Sequence, residues 1–222
     1  VTNVMNYSQG VTVENTAIEE LQVISGTFNA EYGQAMSGIV NIITKEGKSN
    51  YDGQIRGWVG DYVSGRDEYA VLDRVETVYD STGQPVAGNG VYNYPLEGWN
   101  PDYNLDFSLS GPVPGFGDKL TFFTNARFYD YTGHLYGANW FLPTGVPGDS
   151  SLVPMSQGTN YSGQGKLTWR PGGSFKASYN FIYNQSDRPY GYSQEYKYVP
   201  YGTQEGHNKS QSHILSLNHV LS

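Results

Sequence analysis

Cysteine is absent from the 222-residue chain. That rules out a disulfide framework, a thiol nucleophile and cysteine-ligated zinc. Charge is also scarce: only 15% of residues are Asp, Glu, Lys or Arg, against about a quarter in ordinary globular domains. The balance is acidic, 21 against 13, for a net −8, which argues against a general nucleic-acid partner. No long uninterrupted apolar run occurs, so no transmembrane helix is expected. Mean hydropathy is negative, yet a β-wall that shows only alternate residues to lipid barely registers in such an average. No signal-peptide pattern opens the chain, which starts at Val1. What is abundant is aromatic and small: 15% Phe, Trp and Tyr, with 20 Tyr, and 28 Gly. Tyr and Gly with little charge suit β-structure that meets an interface.

The first 47 residues differ from the rest. Ile18 to Ile24, "IEELQVI", reads as a short strand. Phe28 to Met36 reads as a short helix, and Gly38 to Thr44, "GIVNIIT", as a second strand, apolar on both sides and so expected to be covered on both. A small α/β unit of β-α-β type is expected here, too short to hold a core of its own. "KEGKSN", Lys45 to Asn50, is a polar linker.

Beyond the linker the period becomes two. Tyr51, Gly53, Ile55, Gly57 and Val59 alternate with Asp52, Gln54, Arg56 and Trp58. Tyr103, Leu105, Phe107 and Leu109 alternate with Asn104, Asp106, Ser108 and Ser110. The same rhythm runs through Leu120 to Tyr129, Tyr161 to Arg170 and Phe175 to Asn184, and less regularly through His213 to Ser222, where Ile214 and Leu215 are adjacent. One face is aliphatic or aromatic. The other is polar and carries Arg56, Arg127, Lys166, Arg170 and Lys176.

Two features favour a membrane-spanning wall over a soluble sandwich. The runs are long for strands, and ten residues tilted about 40° span roughly 25 Å, the height of an outer-membrane lipid-facing band. The connections also alternate, long around Tyr62 to Asn100, Gly133 to Asn160 and Ser186 to Asn208, short at "GPVPGFGDK" and "PGGS". Short turns on one side and long loops on the other is the pattern of bacterial outer-membrane barrels. Aromatics near the strand ends, Trp58, Tyr103, Tyr131, Trp169 and Tyr183, are candidates for interface girdles.

Little points to catalysis. No GxSxG or HExxH stretch occurs. His213 and His219 are six residues apart, about 20 Å along a strand, too far to share a metal ion. The four histidines are expected to be lumen or girdle residues. The acidic stretch Asp61 to Asp80 lacks EF-hand spacing and reads as a solvated outer loop. No catalytic residue, cofactor or metal is therefore expected. Two aromatic-rich loops, "GHLYGANWFLP" and "RPYGYSQEYKYVPYG", supply the candidate ligand contacts Tyr136, Trp140, Tyr190 and Tyr192. Such rings can stack on sugars or peptides, or pack loop against loop.

The stretch Glu19-Glu20, Leu21 to Ile24, Gly26, Ala30-Glu31-Tyr32-Gly33, Ser37-Gly38 and Ile39-Val40-Asn41-Ile42-Ile43-Thr44-Lys45 resembles the end of the plug domain of TonB-dependent outer-membrane receptors. It departs from that pattern at Ser37, where many members carry glycine. "SGPVPG…GDKLTFF" resembles the Oar-like branch. The resemblance implies a fold that is mainly β. It would be an antiparallel transmembrane β-barrel, of which about six of 22 strands are here, preceded by the C-terminal part of a small α/β plug. Residues 1–47 would be plug and 48–222 the first barrel strands and loops. This is then a piece of a larger protein. It further implies active uptake of a nutrient across a bacterial outer membrane, with loops extracellular and short turns periplasmic. The implied partners are the TonB complex (through a TonB box outside this chain), outer-membrane lipid, an extracellular ligand and a surface lipoprotein. Two alternatives remain open: a surface-adhesion protein of the Oar-like type, and a secreted β-sandwich that binds carbohydrate.

Overall fold

The computed structural model describes residues 2–3, 8–9, 12–24, 39–62, 81–82, 101–189 and 194–220. The strands are β1 (Thr2–Asn3), β2 (Ser8–Gln9), β3 (Ile18–Ile24), β4 (Ile39–Thr44), β5 (Asp52–Gly60), β6 (Asp102–Val113), β7 (Gly117–Tyr131), β8 (Tyr136–Ala138), β9 (Leu152–Pro154), β10 (Gly158–Gly172), β11 (Phe175–Arg188) and β12 (Gly206–His219). The described residues contain no α-helix, only short 3-10 turns. The expected helix at Phe28 to Met36 lies outside them.

The body is one six-stranded antiparallel sheet in the order β5-β6-β7-β10-β11-β12. Each long strand pairs with the next, so sequence order is spatial order. The short turns make that meander possible. Between β6 and β7 the chain reverses with Gly115 and Gly117 at φ 87° and 55°, a backbone that costs a side-chain-bearing residue about 1–2 kcal/mol. Between β10 and β11 only Gly173 and Ser174 intervene. The two short turns lie on one side of the sheet, and the three long connections on the other. The strands run past the sequence-expected ends, to 15 residues in β7 and β10. The sixth strand begins at Gly206, not near His213.

Register fixes the two faces. Ile55 stands opposite Phe107, Phe107 opposite Ala126, Leu167 opposite Phe122 and Tyr179, and Tyr179 opposite Leu215. These residues share one face, called outward below. Ile55 is 71% exposed and Leu215 69%, with Tyr103, Leu105, Tyr161, Leu167, Trp169 and Leu217 also exposed. The inward face is the reverse. Asn125 is 2% exposed and Thr168 fully buried, with Asn104, Thr121, Gln164, Ser178 and Asn180 buried beside them. No second sheet covers the apolar face among the described residues.

Register also corrects two aromatic assignments. Tyr103, Trp169 and Tyr183 are outward. Trp58 stands opposite Asn104, and Tyr131 opposite Gly158, so both belong to the inward face. Position near a strand end does not set direction; parity does.

The N-terminal segment forms a separate hairpin. β3 and β4 pair antiparallel, with Val23 opposite Val40, so these two strands are direct partners and not the parallel neighbours of a β-α-β unit. Val23, Val40 and Ile42 are exposed. The covering layers that such a strand calls for are not among the described residues.

The long connection between β7 and β10 is itself structured. β8 and β9 pair in it, and the segment 197–198 lies alongside, with the Ala138 N–H donating to the Lys197 carbonyl at 2.7 Å and the Phe141 N–H to the Tyr198 carbonyl at 3.1 Å. Met155, Ala138, Val153 and Pro200 form a small core there. This subsidiary core stands on the long-loop side.

Candidate functional site

The inward face is polar because alternate residues of six strands supply it, and it is buried in part because the N-terminal segment lies on it. Residues 12–17 cross three strands. The Asn184 amide on β11 donates to the Thr12 carbonyl at 3.1 Å. Ser162 on β10 donates to Glu14 at 2.6 Å, and Arg127 on β7 reaches the same carboxylate at 3.4 Å. The Asn125 amide donates to the Thr16 hydroxyl at 3.1 Å.

A second contact lies nearer the short turns, where the chain leaves β4 for β5. Glu46 receives Lys166 at 3.2 Å, Arg170 at 2.5 Å and Lys176 at 2.7 Å. Lys166 also donates to the Thr44 carbonyl at 3.3 Å. Burial by itself would raise the Glu46 pKa. The hydrogen bond from Lys176, together with the charge and hydrogen bond of Lys166, outweighs that and holds it below the ordinary value. Next along, Gly47 passes so close to β7 that a Cβ there would meet the Phe122 backbone nitrogen at 2.5 Å. Only glycine lets the connector lie this flat.

Between residues 14–16 and β5–β7 the inward face opens into a cleft of about 650 Å³, within the size range of small-molecule sites. Its wall is an alternating row. Arg56 stands opposite Asp106, and Asp106 opposite Arg127. Asn104 joins them, accepting from Arg127 Nε at 2.6 Å and donating to Asp106 at 2.7 Å. The next row holds rings. Trp58 lies 5.7 Å from Tyr129, Tyr129 stacks on Tyr131 at 5.0 Å, and the Arg127 guanidinium sits 5.1 Å from the Tyr129 ring. Asp102 is buried behind them and accepts from the Tyr129 hydroxyl at 3.2 Å and from the Thr132 N–H at 2.9 Å. Trp58 itself remains 49% exposed.

The loop residues singled out from sequence fall elsewhere. Tyr136 is buried in β8. Trp140 stacks on Tyr198 with centroids 4.2 Å apart and planes 12° from parallel. Both belong to the subsidiary loop core, where they pack loop against loop. Tyr190 and Tyr192 lie outside the described residues, as does most of the acidic stretch Asp61 to Asp80. In the same loop Asp149 accepts from the Ser151 hydroxyl and N–H and from Asn139, which holds its pKa down at about 2.

The histidines do not gather. His213 faces outward and shares a 2.7 Å hydrogen bond with the Tyr179 hydroxyl, His219 lies beside Phe175, and His134 lies beside Tyr62. His207 sits between Asp187 and Glu205. Among the described residues no group of three or more His, Asp or Glu could hold a metal ion.

Sequence reasoning found the polar face and its cations. It missed the cleft, because Arg56 meets Asp106 and Arg127 only through a register set across the long connection between β5 and β6. The available signal was parity: Trp58 shares it with Arg56, and Tyr131 shares it with Arg127.

The fold has a counterpart among solved structures. It is similar to the outer membrane transporter YddB from Escherichia coli, with a TM-score of 0.53 and 17% sequence identity, over 100% of this chain and 26% of that one. The chain thus spans about a quarter of that transporter's length. No family model matches the chain, and no curated protein matches it.

Proposed function

We propose that this chain is part of an outer-membrane transporter of the TonB-dependent type. Its six-stranded sheet would be an arc of a lipid-embedded barrel wall, and its first 47 residues the end of the plug inside it. One observation carries the reading: the sheet leaves the large apolar side chains of one face exposed, while the N-terminal segment covers part of the other, mostly polar face. In water that arrangement leaves a large apolar surface exposed at a cost of about 25 cal/mol per Å². Against lipid the sign reverses. The likeness to an outer membrane transporter supports the same reading.

On this reading the short turns face the periplasm and the long loops the exterior. The protein is a carrier and not an enzyme. The TonB complex supplies the energy through a contact outside this chain, and a ligand enters from the loop side. The structured loop pair also favours a second use, contact with a matrix or a surface lipoprotein, because the tip between Trp140 and Gly148 exposes Leu142 and Val146.

These 222 residues hold no cysteine, so a thiol can be introduced at a chosen position of the sheet without a second one in it. Single cysteines replacing Leu105, Phe107 and Leu167 should resist a water-soluble maleimide in intact outer membranes but react with a lipid-soluble one. Cysteines replacing Gln54 and Ser108 should show the opposite preference. Equal labelling on both faces would end the proposal.

A further inference from the structure

The cleft between residues 14–16 and β5–β7 has a composition that selects among ligands. Its charges cancel: Arg56 and Arg127 on one side, Asp106 and Glu14 on the other. Arg127 is already engaged by Glu14 and Asn104. An anionic ligand would meet two carboxylates and a cationic one two guanidinium groups, so like-charge repulsion disfavours both. What remains is a dense set of donors and acceptors at strand spacing, about 4.5–5.5 Å across each pair, beside an indole that is half exposed. A polyhydroxylated ring matches that set. Its hydroxyls both donate and accept, and its C–H face lies well against an aromatic plane.

We infer that this cleft binds a neutral sugar ring, stacked on Trp58 and held through its hydroxyls by Arg56 and Asp106. Trp58 supplies the apolar platform, and Tyr129 limits its rotation from behind. Arg56 and Asp106 project opposite one another from neighbouring strands; Asp106 accepts from Asn104 through one oxygen, and a carboxylate has further lone pairs for a hydroxyl. Glu14 belongs to the N-terminal segment, so a sugar bound here would touch wall and segment at once. This assigns a ligand class to the proposed transporter and rests on that reading for direction of travel, though not for binding.

The test is calorimetric titration of the purified protein in detergent micelles with maltohexaose, cellohexaose and laminarihexaose, and with trigalacturonate and chitosan trimer as charged comparators. At least one neutral hexasaccharide should bind. Trp58→Ala should weaken it about tenfold, from the loss of one stacked ring, while Trp58→Phe recovers most of the affinity. Arg56→Gln and Asp106→Asn should each weaken it several-fold, and Trp140→Ala, on the far loop pair, should not. Failure of all three neutral probes, tighter binding of either charged comparator, or full affinity in Trp58→Ala would each overturn the inference. Trp58-dependent binding by a protein that does not reside in the outer membrane would keep this inference and sink the transport reading.

Discussion

The two faces of the six-stranded sheet share one backbone and one set of hydrogen bonds, yet obey opposite rules. The outward face holds Ile55, Leu105, Phe107, Leu167, Leu215 and Leu217 in the open, while the inward face buries Asn104, Asn125, Gln164 and Thr168. In a soluble domain the apolar side would be the core. The inversion is what the proposed membrane wall requires, lipid on one side and water on the other, with the N-terminal segment lying on the polar side. The contacts agree. Hydrogen bonds and ion pairs join that segment to the wall: Glu14, Thr16, Thr44 and Glu46 to Arg127, Ser162, Asn125, Lys166, Arg170 and Lys176. Such a joint is specific and weak enough to part, unlike an apolar core.

The largest test places a charge on each side. Phe107→Arg puts a cation on the outward face and should cost about 2–4 kcal/mol in the urea unfolding of vesicle-inserted protein, the scale for a charge at bilayer depth. Ser108→Arg, one residue on, points inward beside polar neighbours and should cost far less. Equal costs would erase the distinction between the faces.

Next comes the carboxylate at the segment's end. Glu46→Ala leaves Lys166, which is only 11% exposed, without its counter-charge, and should destabilise the joint by about 1–2 kcal/mol, the scale of a lost partner at a half-buried polar group. Proteolytic susceptibility of 39–50 should rise while the sheet stays intact. The nearby Lys48–Asp52 pair is more than half exposed, and Lys48→Ala should leave the same measurement unchanged.

Acid should act through that site too. The folded-state pKa of Glu46 is lowered, so its contribution is complete above the unfolded-state pKa and is lost as pH falls through the folded one. Susceptibility at 39–50 should therefore be flat from neutral pH down to the ordinary carboxylate range and rise below it. In Glu46→Gln that acid-dependent rise should shrink. A rise centred near neutral pH would point to another group.

The smallest effect belongs to the loop pair. Trp140→Ala removes the stack on Tyr198 and should cost about 0.5–1.5 kcal/mol locally. The signature is faster cleavage in 133–157 with unchanged cleavage in the six long strands β5, β6, β7, β10, β11 and β12.

Much of this was legible in the sequence, since period-two alternation survives any register. From Tyr103 to Asn184 it marked four of the long strands and sorted their faces correctly, and it found β3 at its observed bounds. Four things were hidden. β8 and β9 are three residues each, too short for a period to show. Trp58 and Tyr131 lie near strand ends, as girdle residues do, but their parity turns them inward. The cleft needed the pairings Arg56–Asp106–Arg127, and the 41 residues between Gly60 and Asp102 give no hint of which residues will face one another. The antiparallel pairing of β3 with β4 was likewise hidden, because apolar residues on both faces leave strand direction undetermined.

The sheet has two open margins. β5 and β12 each have a hydrogen-bonded neighbour on one side only. If the sheet is the arc of a wall proposed above, those margins are where further strands would join it, and until they do the unpaired N–H and C=O groups there can template pairing with any other exposed strand.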